Sequence, residues 1–446
     1  MQDKYLEMTT KPVNKLITRL ALPTILSMLV TNIYNSADAY FIGKINPSAQ
    51  GAIGIVLSVM AIIQAVGFMF GQGSGNNISR LLGARNYKQS RELAAVGFFV
   101  SIICGIIITI IGNIFIRQIA MLLGSTKTIL PYATDYLKII LIGAPYMCGA
   151  IVLNVQLRFQ GNANLAMIGL VSGGILNIIL DPIFIFTLKF GIEGAAIATT
   201  LSQLISFLIL LYMVNVKGQV KIKFQNFKPT LESFKLILNG GTPSLLRQSI
   251  SSISVIVLNT AANPFGDVAI AAMTVVGRVV MTTVSIVVGL GQGYQPVCGY
   301  NLGAKKTKRV IEGFNYTVKI SLIFLVVLSF FIFIFGEKVS EFFSNDANVI
   351  EIATKALKYA SFTMWSASYV IISNMMLQTM GKVFQASFIG LSRQGIFLIP
   401  LLLILPKYMG LTGLLIAQPI ADIISLLITI ICQEKVIKEM KREALA

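Results

Sequence analysis

Not one histidine occurs in the 446 residues. That absence excludes imidazole proton relays, histidine-ligated haem and the H-E-x-x-H protease site together. The four cysteines, Cys104, Cys148, Cys298 and Cys432, are scattered without a C-x-x-C pair, so neither a disulfide framework nor a zinc site is expected. No G-x-x-x-x-G-K-[ST] run is present, so the chain carries no P-loop of its own, and no nucleophile–base set suggests an enzyme. Charge is scarce as well. Charged residues make up 12% of the chain against 55% hydrophobic, with a mean hydropathy of +0.79. A water-soluble domain of this length does not have that composition.

What is present is a succession of apolar runs, each long enough to cross a hydrocarbon core of ~30 Å as a helix. The hydropathy pattern predicts twelve spans, at roughly 16–41, 50–75, 92–113, 129–155, 164–188, 191–215, 233–260, 267–295, 313–335, 349–377, 387–405 and 410–432. The expected class is an all-α membrane protein. The net charge of +18 does not point to nucleic acid, because most of the 36 Lys and Arg residues fall in alternate loops and tails. That bias places both termini in the cytoplasm of a multi-pass protein of the inner (plasma) membrane, with basic side chains facing anionic lipid. The polar segment ahead of span 1 lacks a small-residue cleavage signature, so an uncleaved first helix is expected.

The sequence also repeats itself at an offset of about 220 residues. Pro23 matches Pro243, Gly71-Gln72-Gly73 matches Gly291-Gln292-Gly293, and Leu82-Gly83-Ala84 matches Leu302-Gly303-Ala304. Gly161 matches Gly381 and Ala166 matches Ala386; after a one-residue slip, Gly191, Gly194 and Ala198 match Gly410, Gly413 and Ala417. Each unit holds an even number of spans, so the halves are parallel repeats: two six-helix lobes with a central cavity between them. The expected boundaries are 1–215 for the N-terminal lobe, 216–232 for a Lys-rich cytoplasmic linker and 233–446 for the C-terminal lobe. The Gly-Gln-Gly-Ser-Gly run at 71–75 follows a membrane helix, not a strand, and reads as close helix packing.

Of 18 acidic residues, only Asp38, Asp181 and Asp422 lie well inside spans. Buried charge in lipid costs at least ~2.5–3.5 kcal/mol, so each calls for a partner or a function. Asn177 and Asp181 share a helical face one turn apart, and Pro182 leaves the Ile178 carbonyl without its intrahelical donor. Across the repeat Asp38 becomes Leu258, Asn177 becomes Phe397 and Asp181 becomes Leu401. The polar set is therefore dispensable for folding a lobe, which points to an ion site in the N-terminal lobe alone. Asp38 and Asp181 would share a proton, or bind Na⁺ together with Asn177. Pro23 and Pro182 are the expected hinges. Arg247, Arg278 and Arg393 in the later spans are expected to pair with Asp422, bond carbonyls or reach the interface.

At these residues the chain resembles the multidrug and toxic compound extrusion (MATE) family. The likeness rests on Pro23 and Asp38, on Asn177-Ile178-Ile179-Leu180-Asp181-Pro182, on the paired Gly-Gln-Gly…Leu-Gly-Ala loops, on Gly299-Tyr300-Asn301-Leu302-Gly303-Ala304 and on Gln418-Pro419-Ile420-Ala421-Asp422. The resemblance implies a monomeric antiporter, without cofactor, that exports small organic cations in exchange for H⁺ or Na⁺. By position it implies an ion-coupling cluster of Asp38, Tyr136, Asn154, Asn177, Asp181 and Thr199. Tyr34, Met69, Trp365, Tyr369 and Met376 would be aromatic or thioether contacts to a flat cation. Gly240 to Asn259 of span 7 and Phe362 to Gln378 of span 10 carry no acid, so substrate would be held by the N-terminal lobe or by apolar contacts. The alternatives are a lipid-linked saccharide flippase of related plan, or a membrane sensor that transports nothing.

Overall fold

Wherever the apolar runs lie, the backbone is helical. A computed structural model describes residues 2–443, and no strand occurs among them. The first residue of the expected N-terminal lobe and the last three of the C-terminal lobe lie outside the described residues. A short helix, Gln2–Thr10, precedes span 1 at Val13–Gly43; spans 2 and 3 are Pro47–Gly83 and Tyr87–Ile114. Span 4 is Leu130–Phe159 and span 6 is Gly191–Val216. Span 5, Ala163–Pro182, runs on into a π turn at Ile183–Thr187, just after the proline that removes a helical N–H.

Spans 7, 8 and 9 are Leu231–Ala262, Asp267–Gly303 and Thr307–Phe343. Span 10 is broken into Ala347–Ser361 and Ala367–Met380. Span 11 starts as Val383–Leu391 and passes through a π turn at Ser392–Ile396. The last helix, Leu398–Glu443, is interrupted at Gly410, with φ 58° and ψ −141°, and that break separates span 11 from span 12. By length and composition, 9 helices among the described residues can cross a membrane, one of them the double stretch Val383–Arg442. Span 7 is too polar for that criterion and span 10 is interrupted; with the double stretch counted as two, the twelve crossings are recovered.

The repeat is written in the backbone as well as in the sequence. Gly161 and Gly381 both take φ +78°, a left-handed turn that favours glycine, between spans 4 and 5 and between spans 10 and 11. Asn154 donates its amide to Ala166 O across the first of these turns, and Asn374 donates to Ala386 O across the second. Arg85 and Lys305, at φ 59° and 57°, repeat one another in the loops after the Leu-Gly-Ala motifs.

The described chain falls into two compact units. The first comprises residues 1–11 and 22–245, the second 12–21 and 246–446. Each unit therefore includes the opening stretch of a span whose remainder lies in the other, with the changeover next to Pro23 in span 1 and Pro243 in span 7. The Gly-Gln-Gly motifs receive those stretches. A Cβ on Gly73 would collide with Ile237 O within the first unit, and one on Gly293 would lie 2.6 Å from Ala21 Cα within the second. The core of the first unit gathers Ile63, Tyr136, Ile140, Ala144 and Ala195 from spans 2, 4 and 6. The segment after span 6 is docked on this unit: Gln219 N and Val220 N both donate to Gln160 Oε1, at 2.8 and 3.0 Å, and Lys228 pairs with Glu92 at 2.9 Å.

Candidate ion site in the first unit

Four helices contribute to one polar cluster inside the first unit. Span 1 supplies Tyr34 and Asp38, span 4 Tyr136, span 5 Asn177 and Asp181, and span 6 Thr199 and Gln203. The one-turn spacing of Asn177 and Asp181 brings the amide under the carboxylate, and Asn177 Nδ2 donates to Asp181 Oδ1 at 3.1 Å and to Thr199 Oγ1 at 3.3 Å. Tyr136, only 1% exposed, lies beside Thr199 and within electrostatic reach of both Asp38 and Asp181. Asp38 and Asp181 also act directly on one another. Tyr34 packs on Gly174, where a Cβ would meet its ring at 3.1 Å, and it joins Gln203 of span 6.

After these bonds are made, three oxygens are left over. Asp38 Oδ1, Asn177 Oδ1 and Asp181 Oδ2 are sealed from solvent and take no hydrogen bond from the described residues. All three are acceptors, and the Asn177 Nδ2 donor is already divided between Asp181 and Thr199. A buried group of surplus acceptors is satisfied by a proton on a carboxylate or by a small hard cation among the oxygens. Among the described residues no three His, Cys, Asp or Glu side chains converge, so the donor set is two carboxylates helped by amide and hydroxyl oxygens. That set does not resemble a transition-metal site.

The structure thus brings together Asp38, Tyr136, Asn177, Asp181 and Thr199. Asn154 makes no hydrogen bond to them among the described residues, its amide being committed to Ala166 O at 2.8 Å. Of the expected substrate contacts, only Tyr34 adjoins the cluster. Met69 packs beside Gly241, the Trp365 indole N–H donates to Phe362 O at 2.7 Å, and Tyr369 meets the Phe314 ring edge-on at 5.7 Å. Met376 is fully enclosed, its Sδ accepting from Gln433 Nε2 at 3.0 Å. Gln203 was not singled out by the sequence reading. Its signal was available, since it follows Thr199 by one helical turn. Of the three arginines in the later spans, Arg393 pairs with Asp422 at 2.8 Å, while Arg278 is exposed.

Known proteins share this fold. The MatE family profile matches residues 23–183 and again residues 243–404, one match per repeat. The multidrug export protein MepA of Staphylococcus aureus (strain NCTC 8325 / PS 47) is 31% identical over 444 residues, covering 98% of each chain. A solved outward-facing multidrug resistance MATE family transporter of the MOP superfamily superposes with a TM-score of 0.92 at 28% identity, over 98% of both chains. A MATE structure described as being in the bent conformation does so with a TM-score of 0.92 at 28% identity, over 99% of both. With both repeats matched and a full-length relative at this identity, the chain belongs to the MATE family of multidrug efflux transporters.

Proposed function

We propose that the protein is a cation-coupled antiporter that exports small organic cations by alternating access, with H⁺ or Na⁺ exchanged at Asp38, Asn177 and Asp181. The observation that carries this reading is the set of three buried oxygens without a donor, supplied by span 1 and span 5. A proton or Na⁺ there satisfies the surplus acceptors and neutralises charge that is costly in a low-dielectric interior. Release restores the repulsion between two carboxylates on different helices, which gives the ion a differential free energy between two arrangements of those helices. Span 1 is the element able to respond, because Pro23 interrupts its hydrogen bonding about four turns from Asp38. Tyr136 and Thr199 hold Asn177 and the carboxylates in register, and Pro182 offers a second point of adjustment in span 5. Asn154 supports this cluster from the loop end of the same lobe.

Substrates on this reading are flat organic cations, drawn to the carboxylates of Asp38 and Asp181 in the first unit and held by Tyr34 and apolar side chains. Met69 in the first unit, and Trp365, Tyr369 and Met376 in the second, serve as packing within their own units. The chain works as a monomer in the plasma membrane with both termini in the cytoplasm. The acids of the first unit speak against a pyrophosphate-bearing lipid substrate, which would need basic side chains in their place.

The test is export of a cationic dye from liposomes holding the purified protein, driven in turn by a proton gradient and by a sodium gradient. Dye movement under at least one gradient, lost when that gradient is collapsed, is the expected result. Dye movement indifferent to both gradients would refute the coupling.

A further inference from the structure

The second unit has a polar site of its own, built on different chemistry. Asp422, in the middle of span 12, accepts at Oδ1 from Arg393 Nε at 2.8 Å and from Gln418 Nε2 at 2.7 Å. Both charged side chains are largely buried, at 12% exposure for Arg393 and 4% for Asp422. Only one edge of each is used. Asp422 Oδ2 and the two Nη groups of Arg393 take no hydrogen bond from the described residues, and none of them is sealed away. An ion pair inside a membrane lobe does not turn open charged edges toward lipid. By that argument we infer that the edges border an aqueous space.

The repeat shows how unlike its counterpart this site is. Span 12 residues Gln418 and Asp422 correspond to Thr199 and Gln203 of span 6, and span 11 residues Arg393 and Gln394 correspond to Gly173 and Gly174 of span 5. Where Tyr34 packs on Gly174 and joins Gln203 in the first unit, Ser254 donates to Gln394 O in the second. The second unit has thus placed a guanidinium where the first has a bare glycine, and has set a carboxylate against it. A buried ion pair is weak evidence for stability, since two apolar side chains of similar volume do as well or better. Its retention with open edges suits recognition.

We propose that Arg393 and Asp422 form a specificity site for zwitterionic small molecules, the free Nη fork of Arg393 taking a carboxylate and Asp422 Oδ2 facing the cationic pole. The inference rests on the exporter reading but adds a determinant in the other unit. A guanidinium edge binds a planar carboxylate through two parallel N–H bonds, a geometry that neither an ester nor a neutral ring reproduces. Gln418 holds Asp422 in place, so Oδ2 stays available when Nε is engaged.

Rhodamine 110, which carries a free carboxylate, and rhodamine 123, its methyl ester, differ only in the group Arg393 would read. Binding of both dyes to the purified full-length protein by fluorescence anisotropy is the primary measurement, with liposome transport beside it. For Arg393→Gln, rhodamine 110 is expected to weaken about tenfold or more relative to rhodamine 123, the scale of one net hydrogen bond to a charged group. Arg393→Lys keeps the pair with Asp422 without a fork, so it serves should Gln impair folding, and a several-fold loss confined to rhodamine 110 is expected. Equal weakening of both dyes, an unchanged ratio, or no binding of rhodamine 110 to the unaltered protein would overturn the site. Selective binding without gradient-driven transport would instead reject the exporter reading and leave the site standing.

Discussion

Asn177 Nδ2 lies 3.1 Å from Asp181 Oδ1 and 3.3 Å from Thr199 Oγ1, so a single amide group ties the span 5 carboxylate to span 6. Its other atom, Oδ1, points into the cluster with no donor. One side chain therefore both positions an acid and adds to the surplus of acceptors. Replacing Asn177 with Ala removes the donor and leaves Asp181 with a second bare oxygen. A loss of about 1–3 kcal/mol in stability is expected from that buried group. Thermal unfolding in detergent should show the drop, and added Na⁺ should recover less of it than in the unaltered protein if the amide oxygen is a ligand.

Asp38→Asn keeps the shape of the side chain and removes its charge. Under the coupling proposed here, gradient-driven dye export falls at least tenfold, equivalent to losing about 1.4 kcal/mol of ion binding or more, while the protein still inserts and purifies normally. Normal export from this variant would show that the carboxylate takes no part in coupling.

The asymmetry between the repeats gives a control that needs no knowledge of the substrate. Leu258 occupies the place of Asp38 in the second repeat, where the polar set is replaced by apolar residues. Leu258→Ala is expected to lower export less than about twofold, since it removes packing and no ligand. A loss as large as that of Asp38→Asn would mean that the shape of this position matters in both halves, and its charge in neither.

Much of this architecture was legible in the chain because its causes are local or periodic. Apolar length marked the spans, and the offset matches at Gly161 and Gly381 marked the two halves. The candidate site was legible for the same reason: Asp38, Asn177 and Asp181 stand out because polar groups in apolar helices are rare, and Asn177 and Asp181 are one turn apart. Long-range partnership was less visible. That Arg393, rather than Arg247 or Arg278, reaches Asp422 depends on how span 11 turns through Ser392–Ile396, and no residue pattern encodes that turn. Nor did the sequence announce that the opening stretches of spans 1 and 7 would be grouped apart from the rest of their helices. A pair of prolines was the only local sign.

The Gly-Gln-Gly motifs are packing notches, and alanine tests them directly. On Gly293 a methyl group would lie 2.6 Å from Ala21 Cα, which is backbone and cannot swing aside. Gly293→Ala is expected to cost about 1–3 kcal/mol through overpacking. Gly277→Ala, where a Cβ meets nothing within 4 Å, is the matched control on the same span and should be neutral or mildly stabilising. Similar melting temperatures for the two variants would show that the close approach at Gly293 carries no structural weight.

Asn154 and Asn374 settle what kind of residue Asn154 is. Each donates its amide across a left-handed glycine turn, to Ala166 O and Ala386 O respectively, so the two sit in equivalent surroundings. Only Asn154 has acids in its lobe's cluster; around Asn374 the matching positions are Leu258 and Leu401. If the amide works as a staple between consecutive spans, Asn154→Ala and Asn374→Ala lower the melting temperature to a similar degree, about 1–2 kcal/mol each. Export per folded molecule then changes little in either variant. If Asn154 also ligates the ion, its variant alone loses export and alone loses the stabilisation given by Na⁺ or by low pH. The comparison is internal to one chain, so differences in expression or lipid cancel, and the repeat itself supplies the reference state.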